Sequence, residues 1–233
     1  VPSWRPADVT APAIVLFDID GTLISTGGAG ARSWGRAFRK LHDREADITA
    51  FSESGMTDPV VGRAVFQGVL GRQPNQQELS RLIMAYLMEL PIEVANSPTY
   101  HRFDGVIRTL ERLSEAGTLL GLVTGNIEGA ARIKIDRANL NPYFAFGGYG
   151  TDSADRAELT LAAIARDETM QGTSIERSTI IVVGDTPRDV AAAEAVGAVS
   201  VAVATGDYSV DQLRETGADH VLRNFAEDEF PGL

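Results

Sequence analysis

An apolar run ends abruptly in two aspartates, a glycine and a threonine in the segment Ile14-Val15-Leu16-Phe17-Asp18-Ile19-Asp20-Gly21-Thr22-Leu23. The run has no polar alternation, which is typical of a parallel strand buried on both faces, and ligand sites in such sheets lie beyond the carboxyl ends of the strands. The carboxylates of Asp18 and Asp20 would repel each other at neutral pH unless a bound cation or a protonated partner relieves them. The segment therefore predicts an active site at the end of a buried strand. The alternative is an acidic turn in which either aspartate caps backbone amides and Gly21 takes a positive φ.

The remainder of the chain divides into a helical part and an alternating part. Apolar residues at spacings of three and four predict helices around Trp34, after Thr57-Asp58-Pro59 and over residues 76–90. From Gly105 onward, helical patterns alternate with apolar strands, which predicts a parallel sheet with helices on both faces. We therefore expect an α/β fold with a Rossmann-like core. Residues 1–25 and 99–233 would form that core, and residues 26–98 an inserted α-helical domain.

The composition limits the classes of partner. The chain has 233 residues and a formal net charge of 21 − 32 = −11, which argues against binding to nucleic acid or to an anionic membrane surface. The absence of cysteine excludes disulfides, thiolate metal sites and a cysteine nucleophile. No apolar run approaches the length of a membrane span, and no targeting segment is evident. We expect a cytoplasmic protein, monomeric or homodimeric, with a small-molecule partner.

Two further strand ends carry polar residues, and a parallel sheet would bring them to the same edge as Asp18. One is Leu122-Val123-Thr124-Gly125-Asn126, where a hydroxyl and the amides of a helix start suit an anion. The other is Ile181-Val182-Val183-Gly184-Asp185-Thr186-Pro187-Arg188-Asp189. Each also has a purely structural interpretation, since Thr124 and Asn126 would serve as helix caps and Asp189 as an acid favoured by the helix dipole.

Taken together, these segments resemble the sequence motifs of the haloacid dehalogenase superfamily, in particular its phosphatase branch. Asp18-Ile19-Asp20-Gly21-Thr22 is similar to the first motif of that family, Thr124-Gly125-Asn126 to the second, and Gly184-Asp185-Thr186-Pro187-Arg188-Asp189 to the fourth. Each fragment is common alone, but three of them in this order at strand ends form a specific signal that covers most of the chain.

The third motif of the family, a basic residue that is most often lysine, has no obvious match. The chain has two lysines: Lys40 falls in the inserted helices, and Lys134 lies only ten residues after Thr124. Arg156 is the best candidate by position, because it begins a predicted helix before the fourth motif, and Arg132 is the second choice. A guanidinium suits phosphate oxygens, although its geometry differs from that of an ammonium.

The resemblance implies phosphoryl transfer through an aspartyl-phosphate. Asp18 would attack phosphorus, and Asp20 would protonate the leaving alcohol and then deprotonate the hydrolytic water. Mg²⁺ would be bound by Asp18, by the backbone carbonyl of Asp20 and by Asp185. The substrate phosphate would be bound by Thr124, Gly125, Asn126 and Arg156. Asp189 would orient Arg156 or a metal-bound water.

The presence of Asp20 separates this chain from the dehalogenases, which need no acid for a halide. The inserted helices resemble the cap of the phosphoglycolate phosphatase and β-phosphoglucomutase group, which implies a small phosphorylated substrate such as phosphoglycolate. We therefore expect a magnesium-dependent phosphomonoester hydrolase. Two alternatives stay open: a β-phosphoglucomutase-like phosphotransferase, and a catalytically silent phosphate-binding or regulatory protein.

Overall fold

A six-stranded parallel sheet forms the centre of the molecule, as the alternating pattern predicts. The computed structural model describes residues 13–233, and all statements below concern those residues. The strand order is β5-β4-β1-β6-β7-β8. The strands are β1 (Ile14–Phe17), β4 (Leu119–Thr124), β5 (Phe146–Tyr149), β6 (Ile180–Gly184), β7 (Val199–Val203) and β8 (His220–Leu222). The predicted fold class is confirmed.

Strand β1 lies in the middle of the sheet and is buried on both faces. Its register pairs Phe17 with Leu122 of β4 on one side and with Val183 of β6 on the other. Val15 and Phe17 face one hydrophobic cluster, whereas Ile14 and Leu16 face another. An uninterrupted apolar strand is what burial on two faces requires.

Helices cover both faces of the sheet. Helices α4 (Val106–Glu115) and α5 (Glu128–Asp136) pack on the face that carries Phe17, and this cluster also contains Phe225 and Phe230. Helices α6 (Arg156–Gln171) and α7 (Pro187–Val196) pack on the opposite face. The short helix α8 (Val210–Glu215) packs near the β8 edge.

Three α-helices occupy the inserted segment, residues 26–98: α1 (Ala29–His42), α2 (Asp58–Leu70) and α3 (Gln76–Asn96). The rings of Trp34 and Tyr86 stack at 4.2 Å between α1 and α3. This inserted cluster is continuous with the sheet layer, because Ile127 and Ala130 belong to it. The division of the chain into two domains remains a prediction.

The two connections to the inserted helices run side by side. Strands β2 (Ile24–Ser25) and β3 (His101–Arg102) pair in antiparallel fashion, and the hydroxyl of Ser97 donates to the carbonyl of Thr26 at 2.8 Å. The inserted helices therefore leave and re-enter the sheet layer at one place.

The short elements β2, β3, α8 and β8 have no counterpart in the predicted pattern, and two longer or central elements also differ from it. Helix α3 continues through Pro91 to Asn96 instead of ending near residue 90. Strand β5 has no counterpart in the predicted pattern because Gly147 and Gly148 occupy its centre. A Cβ on Gly148 would lie 1.9 Å from the carbonyl oxygen of Leu159, so the close approach of α6 requires glycine there.

None of the helices in the described part of the chain combines the length and the apolar character that crossing a bilayer requires.

Candidate active site

Four elements meet at the carboxyl edge of the sheet and line one cavity of about 650 Å³. Asp18 follows β1, Asp185 follows β6, Thr124 ends β4, and Arg156 begins α6 after β5. All four residues are buried and all four line the cavity. The strand ends that the sequence singles out are therefore adjacent in space.

Asp18 and Arg156 form a buried ion pair. Nη2 of Arg156 lies 2.5 Å from Oδ2 of Asp18 and 2.6 Å from Oδ1 of Asp189. Burial raises the pKa of Asp18 to about 6, although the Arg156 guanidinium opposes the shift. Nη2 is thus held between two carboxylate oxygens at the wall of the cavity.

Asp189 holds the guanidinium in place. Its Oδ1 accepts a 2.7 Å hydrogen bond from Nε of Arg156, and its Oδ2 accepts from the backbone and the hydroxyl of Thr186 at 3.0 and 2.7 Å. Both oxygens of Asp189 are thus engaged by the protein. The residue caps α7 and fixes Arg156 at the same time, so both sequence-based interpretations describe it.

Asp185 occupies a space that two glycines leave open. A Cβ on Gly21 would lie 2.3 Å from Oδ2 of Asp185, and one on Gly206 would lie 1.8 Å from the same atom. Oδ1 accepts from the hydroxyl of Thr22 at 3.0 Å. Burial, with the nearby charge of Asp18 adding to it, raises the pKa of Asp185 to about 8.

The residues at this edge suit a hard divalent cation. Asp18, Asp185 and Asp189 each place a carboxylate oxygen within 4.8 Å of the others. Since both oxygens of Asp189 are engaged, Asp18 and Asp185 are the carboxylates that fit as ligands, and a cation between them would relieve their mutual repulsion. Both carboxylates line the cavity, from which an ion can reach them.

Asp20 lies two residues beyond Asp18, with 41% of its side chain exposed. Its Oδ2 accepts from Nδ2 of Asn126 at 2.8 Å and from Nζ of Lys134 at 2.6 Å. Asp20 also lines the cavity, so the first predicted motif places both of its aspartates there.

The second predicted motif also reaches the cavity. Oγ1 of Thr124 accepts from the side chain and the backbone of Asn126 at 2.8 and 3.3 Å, which leaves its own hydroxyl proton free to donate. The carbonyl of Gly125 accepts from the backbone of Asp58 in the inserted segment at 2.8 Å. The assignment of these residues to phosphate binding stays a prediction.

Of the two arginines considered for the third motif, only Arg156 lines the cavity. Arg132 donates instead to the carbonyl of Phe144 at 2.8 Å and to the hydroxyl of Tyr149 at 3.1 Å. Lys40 forms an ion pair with Glu89 between α1 and α3 and does not line the cavity.

Lys134 is the site residue that sequence reasoning passed over. Its short distance from Thr124 along the chain argued against it as the basic residue of the third motif. In the structure it is buried on α5 and contacts Asp20. A signal was available, because Ala130, Ala131, Lys134 and Ile135 form the buried stripe of α5 at helical spacing. A lysine on an apolar helix face needs a buried counter-charge.

The inserted segment closes the cavity from the opposite side. Its lining combines apolar and aromatic side chains, including Trp34, Met56 and Tyr86, with two acids, Glu53 and Asp58. Two of the polar contacts between the segment and the sheet edge involve side chains at the mouth of the cavity, Ser54 with Asp207 at 2.5 Å and Arg188 with Glu53 at 3.0 Å. These groups are exposed, in contrast to the Arg156 pairs.

Asp58 anchors the start of α2 on the sheet layer. Its Oδ2 accepts from the backbone of Ile127 at 2.8 Å, and burial raises its pKa to about 6. Thr57 is the N-cap residue of α2, but its hydroxyl makes no capping hydrogen bond.

Comparison with known proteins agrees with this geometry. The family model for haloacid dehalogenase-like hydrolases matches residues 15–203. A phosphoglycolate phosphatase of Rhodospirillum rubrum is 27% identical over 230 residues, covering 92% of this chain and 88% of that protein.

Solved structures share the fold. A predicted phosphoglycolate phosphatase from Haemophilus somnus superposes with a TM-score of 0.73 at 18% identity, covering 94% of this chain and 96% of that one. A putative β-phosphoglucomutase from Bacteroides vulgatus gives a TM-score of 0.67 at 22% identity, covering 94% and 86% of the two chains.

Proposed function

Because this chain belongs to the haloacid dehalogenase-like hydrolases and is a phosphatase of that family, we propose that it hydrolyses phosphoric monoesters of small metabolites with Mg²⁺ and through an aspartyl-phosphate. One observation carries the proposal. A buried carboxylate at a strand end, Asp18, lies 2.5 Å from a buried guanidinium and shares a cavity with a second carboxylate two residues on.

Asp18 is the nucleophile in this scheme. Its carboxylate oxygen forms a bond to phosphorus as the bond from phosphorus to the leaving oxygen breaks, and Asp20 gives its proton to that oxygen. The guanidinium of Arg156 and the hydroxyl of Thr124 bind the phosphoryl oxygens, on which charge is spread in the transition state.

A metal ion bound by Asp18, Asp185 and the backbone carbonyl of Asp20 would neutralise phosphoryl charge and permit the approach of the anionic nucleophile. In the second half-reaction, water attacks phosphorus while Asp20 accepts its proton. The bond between phosphorus and Asp18 then breaks, which restores the free carboxylate.

The inserted helices favour a small substrate. They close the cavity with Trp34, Met56 and Tyr86, which exclude water and leave room for a small organic group. Phosphoglycolate is the first compound to assay, because the Rhodospirillum rubrum relative carries the name of that activity.

The test measures phosphate release from a panel of small phosphomonoesters, with Mg²⁺ and with EDTA, for the wild type and for Asp18→Asn. We expect metal-dependent turnover that the substitution abolishes. Asp211→Asn is the matched control, because it makes the same change at a side chain that is 87% exposed on α8.

Two results would contradict the hydrolase. Interconversion of sugar phosphates that needs a bisphosphate activator would identify a phosphotransferase. A panel without turnover in which phosphate still binds would identify a silent binding protein.

A further inference from the structure

The scheme above leaves one buried cation without a role. Lys134 points from α5 into the cavity with 8% of its side chain exposed, and its Nζ lies 2.6 Å from Oδ2 of Asp20. A buried lysine side chain is retained at a cost that its partners must offset, and Asp20 is the carboxylate that it contacts.

The contacts of Asp20 are unequal between its two oxygens. Oδ2 accepts from both Lys134 and Asn126, whereas Oδ1 accepts no hydrogen bond from any residue between 13 and 233. Asn126 lies in the loop that follows β4 and Lys134 lies on α5, so two separate backbone positions fix the same oxygen. A carboxyl group held in this way has one rotamer and presents one defined free atom.

We propose that Lys134 is a positioning residue that holds Oδ2 of Asp20 and thereby directs Oδ1 at the leaving oxygen of the substrate. In the first half-reaction the proton leaves Oδ1 as the bond between phosphorus and the leaving oxygen breaks. In the second, Oδ1 takes a proton from the attacking water. Oδ2 is an acceptor in both protonation states of Asp20, so Lys134 and Asn126 keep their contacts throughout the cycle.

This inference rests on the proposed function. It concerns a different residue from the basic third motif of the family, whose position corresponds here to Arg156 beside Asp18. The two cations differ in the aspartate that they contact. Arg156 contacts the nucleophile, while Lys134 contacts the acid. Arg156 therefore acts on the side of phosphorus that the nucleophile attacks, and Lys134 acts on the side from which the oxygen leaves.

The test uses the chemistry of the leaving group. An alkoxide needs a proton as it leaves, whereas p-nitrophenolate leaves without one at neutral pH. We would measure kcat/KM for p-nitrophenyl phosphate and for the alkyl phosphate that the wild type hydrolyses fastest. This quantity reports the steps up to transfer of the phosphoryl group to Asp18.

We expect Lys134→Met to lower kcat/KM for the alkyl ester by about 10²-fold and to change the value for p-nitrophenyl phosphate by a much smaller factor. Lys134→Arg should restore part of the loss, and Asp20→Asn should show the same selectivity more strongly. Lys40→Met is the matched control, because it removes the other lysine of the chain at a place outside the cavity, and it should leave the ratio of the two substrates unchanged.

An equal loss for both substrates in folded Lys134→Met would overturn the inference while leaving the hydrolase intact. If Lys134→Met does not fold, Lys134→Gln replaces the ammonium with a neutral polar side chain, and an equal loss for both substrates there would overturn it as well. A wild type that hydrolyses neither ester would overturn the proposed function, and the inference with it.

Discussion

The sheet edge and the inserted loop 52–58 bound the same cavity, but an ion pair at the sheet edge is buried whereas an ion pair of the loop is exposed. The side chains of Arg156 and Asp18 at the sheet edge are each 8% exposed, whereas those of Arg188 and Glu53, which join the loop to the sheet, are 45% and 72% exposed. A buried pair is expensive to break, and an exposed pair contributes little and is screened by salt. The groups at the sheet edge are therefore held tightly, whereas the pair of Arg188 and Glu53 contributes little to holding the loop in place.

The largest effect should come from breaking the buried side of this comparison. Arg156→Ala leaves Asp18 and Asp189 without their cation, and we expect it to lower the free energy of unfolding by about 3–5 kcal/mol. It should also lower kcat/KM by at least about 10²-fold. Urea denaturation and steady-state kinetics measure the two losses. Arg188→Ala is the control, and unchanged kinetics for Arg156→Ala would assign phosphate binding to another group.

The second prediction concerns the buried carboxylates in EDTA. Because burial raises the pKa of Asp18 and Asp58 to about 6 and that of Asp185 to about 8, the folded protein binds more protons than the unfolded chain above the ordinary aspartate value of 3.8. The free energy of unfolding should therefore fall as pH rises through this window and level off above about 8.

Magnesium should reverse much of that loss. At 100 times its dissociation constant, the ion should add about 2.7 kcal/mol and flatten the upper part of the pH profile. Urea denaturation across pH, with Mg²⁺ and with EDTA, measures both effects, and Asp185→Asn should remove the response to Mg²⁺. Stability in EDTA that rises over the window would contradict this account.

The third prediction concerns the boundary between the two regions. A Cβ at Gly125 would lie 2.4 Å from the carbonyl oxygen of Met56, so Gly125→Ala should push the inserted loop away from the sheet edge. We expect a loss of about 1–3 kcal/mol in unfolding free energy together with a raised KM. Gly129→Ala is the control, because its Cβ would meet Leu87 at an ordinary 3.4 Å. Equal effects of the two substitutions would show that close docking at Gly125 is unimportant.

The smallest effect belongs to the exposed side. A double-mutant cycle with Arg188→Met and Glu53→Gln should give a coupling free energy of no more than about 1 kcal/mol, and high salt should reduce it further. A larger coupling that resists salt would mean that closure of the cavity is as rigid as the sheet edge.

The sequence predicts the residues at the sheet edge more completely than the elements around that edge. Residues that follow buried strands have their position dictated by topology, which is why Asp18, Thr124 and Asp185 are predicted together and lie together. Arg156 follows from the same logic, since α6 begins at that edge after β5. The catalytic and binding roles of these residues stay predictions until kinetics are measured.

The rest depends on packing that no local pattern encodes. The contact of Lys134 with Asp20 is set by the angle at which α5 crosses the sheet, and the two residues are 114 positions apart. Strand β5 is not predicted because Gly147 and Gly148 have low strand propensity, and the approach of α6 requires glycine at position 148. In both cases tertiary contact overrides the local signal.

The central place of β1 has a consequence for how the molecule assembles. Ile14 pairs with Leu119 on one side and with Ile180 on the other, so the strand that presents the nucleophile acquires its neighbours from distant parts of the chain. During synthesis, β1 leaves the ribosome long before β6 exists to cover its second edge. Contacts of such long sequence separation form slowly and leave apolar strand edges exposed in the meantime. The hydrophobic run that makes the nucleophile rigid in the finished protein is thus the segment that most needs protection from aggregation while the protein is being made.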